Sequence, residues 1–557
     1  MKEKYIELME RTLAAYSNEH ILRYFNDVKQ NGLTEHGFPR LTSNIGILIS
    51  HGRRTELLPL FLEMMEFCCK SIPRVKAAND FSVREIVTCI RAVEDSGVAS
   101  QSDVDRWKEY LAAIDPASCY NVVAKTPIDK VKNWALFTGV SEFFRQRMGL
   151  CDSSDFIDTQ LATQLQWLDQ NGMYMDAGGD VHHPIMYDLV PRGLFAALLT
   201  EGYRGVHYSA IDECLRKSGL LTLKMQSPNG EMAFGGRSNQ FIHNEPWMIA
   251  TFEYEAKRYA SLGDLEMVKK FKSAIKRAIA VTEKWLSEEP IYHIKNRFPT
   301  ETKFGCENYA YFDKYMITVA SNLYAAYLIC DDSIEGDDIP DTEPSVFATT
   351  EHFHKLFLKS GGYGIEFDLN GDPHYDASGL GRVHKAGAPS TVCLSVPCPK
   401  NPNIVTDLAA NTALSLCPGV KVNGEWKFAT DADTKYEIIR AVEESDFVIA
   451  ELICSFPNGT TVKSEYTVNE TGVKIKVAGE KAVAFMLPAF FFDGERKTDI
   501  SINENSLTVS YKGAVCTYRT SGEIQETEIL SANRNGHYKM YFTTASKALD
   551  ISIKITN

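Results

Sequence analysis

The chain of 557 residues has no long hydrophobic run. No stretch approaches the roughly 18 uninterrupted apolar residues of a membrane helix, so no membrane partner is expected. The N-terminus, MKEKYIELMERTLAAY, lacks the charged-then-apolar order of a secretory signal, because Glu3, Glu7 and Glu10 interrupt it. Cysteine is unpatterned: the 13 residues are odd in number and form no CxxC pair. Buried reduced thiols, and with them a cytoplasmic location, are the expectation. Basic charge is in deficit, with 59 Lys and Arg against 73 Asp and Glu and a net charge of −14. That argues against nucleic acid as a partner. The longest basic cluster (Lys269, Lys270, Lys272, Lys276, Arg277) has helical spacing and reads as a solvated face. Fixed-period repeats are missing, which disfavours a solenoid. So are HExxH, GxSxG, the Walker loop and the dinucleotide fingerprint, and no cofactor or metal is expected. His182 and His183 are adjacent and would point apart on any regular element. Gly361-Gly362-Tyr363-Gly364 lies in β-like sequence and does not open a helix, so it is no phosphate loop.

What is present is enough for two domains, since one core stops growing at about 250–300 residues. Hydrophobic residues at 44% and charged residues at 24% are ordinary globular values. Two textures meet at DDSIEGDDIPDTEPS, an acidic, proline-bearing junction. The division read from it is a helical domain over 1–335, a linker over 336–346 and a strand-rich domain over 347–557.

The first texture parses into about a dozen helices, among them 5–31 with a break near Ser17, 41–51, 185–202, 246–262 and 264–287. The last has a stripe of Leu265, Val268, Phe271, Ile275, Ile279 and Trp285, with Asp264 as its cap. Connections alternate between short and long. If helix direction alternates too, every long loop falls at one end, where sites are usually built. Six helical hairpins arranged so predict an (α/α)6-type toroid. The second texture, with runs such as TVCLSVPC, FVIAELICSF and TVKSEYTV and the turns Pro457-Asn458-Gly459 and Asn423-Gly424, predicts an antiparallel β-sandwich. The fold class is therefore multidomain α+β, a helical toroid followed by a β-sandwich.

The densest polar cluster lies in two of the long loops. NGMYMDAGGDVHHPIMYDLVPRG offers Tyr174, Asp176, Asp180, His182, His183, Tyr187, Asp188 and Arg192. Asp188 and Arg192 are four apart, and an ordinary ion pair is as good a reading as a functional one. Pro191 within the helix is expected to kink it and turn Tyr187 or Asp188 toward the cavity. SPNGEMAFGGRSNQFIHNEPW brings Arg237, a natural carboxylate clamp, with Ser238, Asn239, Gln240, His243, Asn244 and Glu245. His243 is suited to acid–base work, whereas Asn244 reads first as a helix cap. Glu307 and Tyr309 precede the last helix. Asn133-Trp134 offers an aromatic platform or plain core packing. DASGLGRVHKAGAP, with Arg382 and His384, breaks the strand pattern and reads as a loop, either at the surface or over the toroid mouth.

On NGMYMD, MYDLVPR and GGRSNQFIHNEPW, the sequence resembles the α/α-toroid carbohydrate-active enzymes with a C-terminal β-sandwich: the heparinase II/III-like and related polysaccharide lyases, and toroid glucuronidases. The resemblance is architectural over most of the chain. It implies an oligosaccharide substrate bearing uronic acid, cleaved by β-elimination. Arg237 and Asn239 would neutralise the carboxylate, with Arg192, Asp176, Tyr174, Glu245, Trp134 and Tyr309 as further substrate contacts. Tyr187, His243, His183 and Asp188 would be the catalytic set. The alternative is a toroid glycoside hydrolase using two carboxylates among Asp176, Asp188, Glu245 and Glu307. A third reading is a glycan-binding protein without catalysis.

Overall fold

A computed structural model describes residues 1–77, 79–176, 182–430 and 433–557. Its first half is a double ring of helices. The inner ring consists of Gly37–Ser50, Asn79–Ser96, Trp134–Arg147, Ile185–Thr200, Asn244–Ser261 and Thr318–Ile329, each packed on the next and the last packed on the first. These helices are buried nearly all round. In Gly37–Ser50 every residue but Ser50 is buried, including Arg40, Thr42, Ser43 and Asn44. Such a helix has no polar face and hence no amphipathic period. This is why its start at Gly37, rather than near 41, is hidden in the sequence.

The outer helices obey periodicity. Leu265–Leu286 is capped by Asp264, whose Oδ1 accepts the Met267 N–H at 3.1 Å. Val268, Phe271, Ile275, Ile279 and Trp285 are buried, but Leu265 is exposed and does not belong to the stripe. Ser17 caps Asn18–Asn31 by accepting the His20 N–H, which makes the expected break near that residue. Helix Ile185–Thr200 continues through Pro191.

The second half is an antiparallel β-sandwich. An eight-stranded sheet, from Asp499–Asn503 at one edge to Lys435–Glu443 at the other, covers a four-stranded sheet (Ser345–Ala348, Lys355–Ser360, Tyr363–Asp368, Gly379–Lys385) and a five-stranded one. One hydrophobic core fills the space between them. Asn423 and Gly424 both take positive φ and close the hairpin Pro418–Val422/Glu425–Phe428, as Asn-Gly favours. TVCLSVPC is not a strand: it is irregular apart from an isolated bridge between Cys398 and Leu414. The 376–389 segment is likewise corrected. Gly379–Lys385 is a strand, and Arg382 and His384 are buried on it.

The basic cluster on Leu265–Leu286 is not a solvated face. The acidic segment between Ile329 and Ser345 is strapped along it. Lys270 pairs with Glu343 at 2.7 Å, Lys276 Nζ and Arg277 donate to the carbonyls of Gly336 and Ile339, and Ser273 Oγ donates to that of Asp337. Lys272 turns inward to the buried Glu253 at 2.7 Å. None of the thirteen cysteines is in a disulfide, and all but Cys151 are buried. Among the described residues, no helix is long and apolar enough to cross a membrane.

Candidate active site

Each inner helix starts where a long connection ends, so the six N-termini face one end of the ring. A cavity of about 350 Å³ opens there. Every inner helix contributes to its wall within its first turns: Arg40, Phe81, Trp134, Tyr187, Trp247 and Thr318. The 171–184 and 227–245 connections therefore meet at one rim. Asp176 of the first pairs with Arg237 of the second, whose guanidinium also lies 4.4 Å over the ring of Tyr187 in the helix that follows. Helix N-termini carry partial positive charge, and six of them converge on this space. Arg40, Lys132, Arg237 and Lys314 add full charges to its wall. None of the described residues lining the cavity is Asp or Glu.

The loop 234–243 is the centre of the construction. Gly235 and Gly236 take φ of +142° and +72°. A Cβ on Gly236 would meet Pro184 at 2.7 Å, so glycine lets the loop lie against the start of helix Ile185–Thr200. Ser238 is left-handed at φ +58°, held there by its N–H donating to Glu307 Oε1 at 2.6 Å. Its hydroxyl lies 3.1 Å from the Tyr187 hydroxyl and 3.2 Å from that of Tyr309. Three hydroxyls thus form a chain from the half-buried ring of Tyr187 to the 39%-exposed Tyr309. Burial raises the Tyr187 pKa, while the guanidinium of Arg237 and the Ser238 hydroxyl pull it back. Burial, reinforced by Arg40, His293 and Lys295, lowers His243 to about 3. Its ring is therefore neutral near pH 7, stacked on Phe241, and its Nδ1 is buried without a partner.

Asp176 ties two wall residues together. Its carboxylate pairs with Arg237 and accepts the Asn133 amide N–H at 2.9 Å. Asn133 therefore presents its amide beside the guanidinium. It is the residue that the sequence argument undervalued, since only the neighbouring ring of Trp134 was weighed as a platform. His36, Arg40, Phe81, Lys314, Tyr315, Thr318 and Asn322 were missed altogether. Arg40, Phe81, Thr318 and Asn322 share one signal, polar or aromatic residues in the opening turns of apolar helices, and His36, Lys314 and Tyr315 lie just before such helices.

Other expected site residues are placed elsewhere. Asn239 is buried with its Nδ2 donated to the Ala233 carbonyl and its Oδ1 accepting from Gln240, so its amide is spent on the loop itself. Asp188 forms a buried two-pronged pair with Arg192 (2.5 and 3.1 Å) and accepts the Tyr174 N–H at 2.7 Å. The ion-pair reading of Asp188 and Arg192 describes this geometry. Tyr174 is buried, donating to Gln164. Glu245 accepts from Lys295 Nζ at 2.6 Å and from the Met232 N–H. Glu307 is bound by both arms of Arg534. His183 packs on His352 and Phe353, and His182 faces His354, both toward the β-domain side of the rim. Asn244 begins its helix and donates to the Ser238 carbonyl. Asp180 lies outside the described residues.

The β-sandwich braces this loop from behind. Arg382 donates to the Met232 carbonyl at 2.8 Å, Glu366 accepts the Phe234 N–H, and Asp376 accepts the Gly236 N–H at 2.8 Å. Burial raises the Asp376 carboxyl to about 7, against the pull of Lys355.

No protein-family model and no curated protein matches the chain. Among solved structures it is similar to a mutant of the heparan sulfate lyase HepC from Pedobacter heparinus, at 8% identity over 94% of this chain and 76% of that one, with a TM-score of 0.49. It is also similar to a chondroitin lyase, the baculovirus envelope protein ODV-E66 (9% identity, 92% and 76% covered, TM-score 0.42). A structure of heparinase III matches at 9% identity over 85% of this chain and 76% of that one, with a TM-score of 0.36. At these identities the likeness is one of fold.

Proposed function

We propose that the cavity binds a uronic-acid-bearing oligosaccharide and cleaves it by β-elimination. The observation that carries this reading is the wall itself. Four cations, six helix N-termini and a tyrosine-led hydroxyl chain surround the cavity, and no described carboxylate faces it. A two-carboxylate hydrolase needs free acids on both sides of the scissile bond. Here Asp176, Asp188, Glu245 and Glu307 are each paired with a cation.

In the proposed reaction Arg237 and the Asn133 amide hold the uronate carboxylate and stabilise the charge that grows on it as the α-proton leaves. Tyr187 takes that proton. It can do so after passing its own through Ser238 and Tyr309 to solvent, the phenolate being stabilised by the guanidinium above its ring. The C–H electrons form the new C=C bond as the C–O bond breaks, and the leaving oxygen receives a proton from Tyr187. His243, neutral and buried, supplies a hydrogen-bonding wall rather than a charge. Trp134 and Trp247 give the sugar faces apolar contact. Substrate is expected to reach the protein as short oligomers.

The test is a panel of uronate-containing oligosaccharides followed by ultraviolet absorbance and by reducing ends. An eliminase raises both together, because its product carries a conjugated double bond. Reducing ends without absorbance would replace this reading with hydrolysis.

A further inference from the structure

The hairpin joining Glu523–Asn533 to Gly536–Ala545 reaches out of the β-sandwich and ends inside the helical domain. Its tip carries Arg534, which is 1% exposed. One guanidinium nitrogen donates to the Gly305 carbonyl at 2.8 Å and to Glu307 Oε2 at 3.1 Å. The other donates to Glu307 Oε1 at 2.6 Å and to the Gly236 carbonyl at 3.3 Å. Glu307 Oε1 is the same oxygen that accepts the Ser238 N–H. The tip is locked from both sides. Asn533 Oδ1 accepts the N–H groups of Asn535 and Gly536, Asn535 Nδ2 donates to the Lys295 carbonyl, and the Arg534 carbonyl accepts from Asn296. A Cβ on Gly305 would meet that carbonyl at 2.7 Å, so the fit leaves no room for a side chain there.

We infer that Arg534 is a positioning residue through which the C-terminal domain sets the active-site hydroxyl chain. It touches no cavity atom. It fixes the backbone on either side of Arg237, at the Gly236 carbonyl directly and at the Ser238 N–H through Glu307. Ser238 is left-handed, a conformation that disfavours a non-glycine residue, and it keeps that conformation only while something holds it. Without the tie, Ser238 relaxes and its hydroxyl leaves the gap between Tyr187 and Tyr309. Arg237 is affected less, because Asp176 grips its guanidinium from the opposite wall. Loss of Arg534 therefore affects proton transfer more than carboxylate binding.

This inference rests on the elimination reading for its kinetic arm only. In the full chain, R534M is expected to lower kcat about a hundredfold, as small misplacements of reacting groups do, while KM changes less than about threefold. R534K, which makes one contact where the fork makes several, should recover part of the loss. Independently of any substrate, hydrogen–deuterium exchange of segment 234–243 should rise at least about tenfold in R534M, with the strands of the sandwich core unchanged. If R534M does not fold, the double variant R534M/E307M, which buries no lone charge, takes its place in both arms. Wild-type kcat, or wild-type exchange in 234–243, in the folded variant overturns the proposal. A wild-type enzyme forming no unsaturated product on any uronate overturns the elimination reading instead, and the exchange arm still decides the tie.

Discussion

Tyr187 stands where two opposed influences meet. Burial disfavours its phenolate, and the guanidinium 4.4 Å above its ring favours it. Burial prevails, so the resting phenol keeps its proton, and the guanidinium reduces the cost of the phenolate that the proposed reaction requires. Y187F should reduce turnover by about a hundredfold or more, with the cavity and its substrate affinity largely kept, as read by steady-state absorbance. Y309F, which shortens the hydroxyl chain at its solvent end, should cost about tenfold. Equal activity in both variants would remove the chain from the mechanism. Asp376 makes a different prediction. Its carboxyl titrates near 7 in the folded chain, whereas a free aspartate titrates near 4. Between those values the folded chain holds a proton that the unfolded chain has released. This residue's contribution to stability therefore falls as pH rises through that window and is level above it. D376N keeps an acceptor for the Gly236 N–H and lacks the titration, so in urea unfolding it should gain on the wild type between pH 5 and pH 8. A pH-independent difference would contradict the raised value.

Among the elements, the inner helix Ile185–Thr200 shows how much of the site the sequence could disclose. The loops beside it were visible from composition, and Tyr187, Arg237, His243, Trp134 and Tyr309 do line one cavity. Asp188 and Arg192 were visible as an i,i+4 pair, but their complete burial was not, since burial depends on the neighbouring helix Tyr208–Met225, where the Ser218 carbonyl and the Thr222 hydroxyl accept from Arg192. The same blindness explains Asn239 and Glu245, whose partners lie elsewhere in the fold or in the loop's own backbone. His36 and Arg40 escaped because a helix buried on every side shows no stripe to mark where it begins. The buried pair gives Asp188 a part in stability. D188A leaves Arg192 buried without its carboxylate and should cost about 3–5 kcal/mol in urea unfolding. Loss of activity with unchanged stability would return Asp188 to the catalytic set. On the same helix, a Cβ at Gly193 would lie 2.2 Å from the Trp247 ring. G193A should therefore destabilise by about 1–3 kcal/mol and push a cavity wall inward, raising KM.

For the whole molecule, the charge pattern has two levels. The net charge is −14, yet the cavity wall is cationic. A uronate oligomer of the proposed kind would be attracted locally by a protein that repels it at a distance. Raising ionic strength from about 0.05 to about 0.5 M shortens the Debye length from ~14 to ~4 Å. KM for a uronate oligomer should rise about threefold over that range, with kcat nearly constant, because the contacts most screened are those made on binding. A salt-independent KM would place recognition in uncharged contacts.

The closure of the inner ring joins residues far apart in the chain. Arg40 donates to the Thr318 hydroxyl at 2.6 Å and Asn44 to the Ser321 hydroxyl at 2.9 Å, so the first inner helix receives its second flank only from the last. On a ribosome the earlier helices must wait as an open arc, with apolar flanks uncovered, until Thr318–Ile329 has left the exit tunnel. The hollow at the centre of the ring is thus among the last features of the helical half to come into being, and nascent chains arrested before that helix should be the form most in need of chaperones.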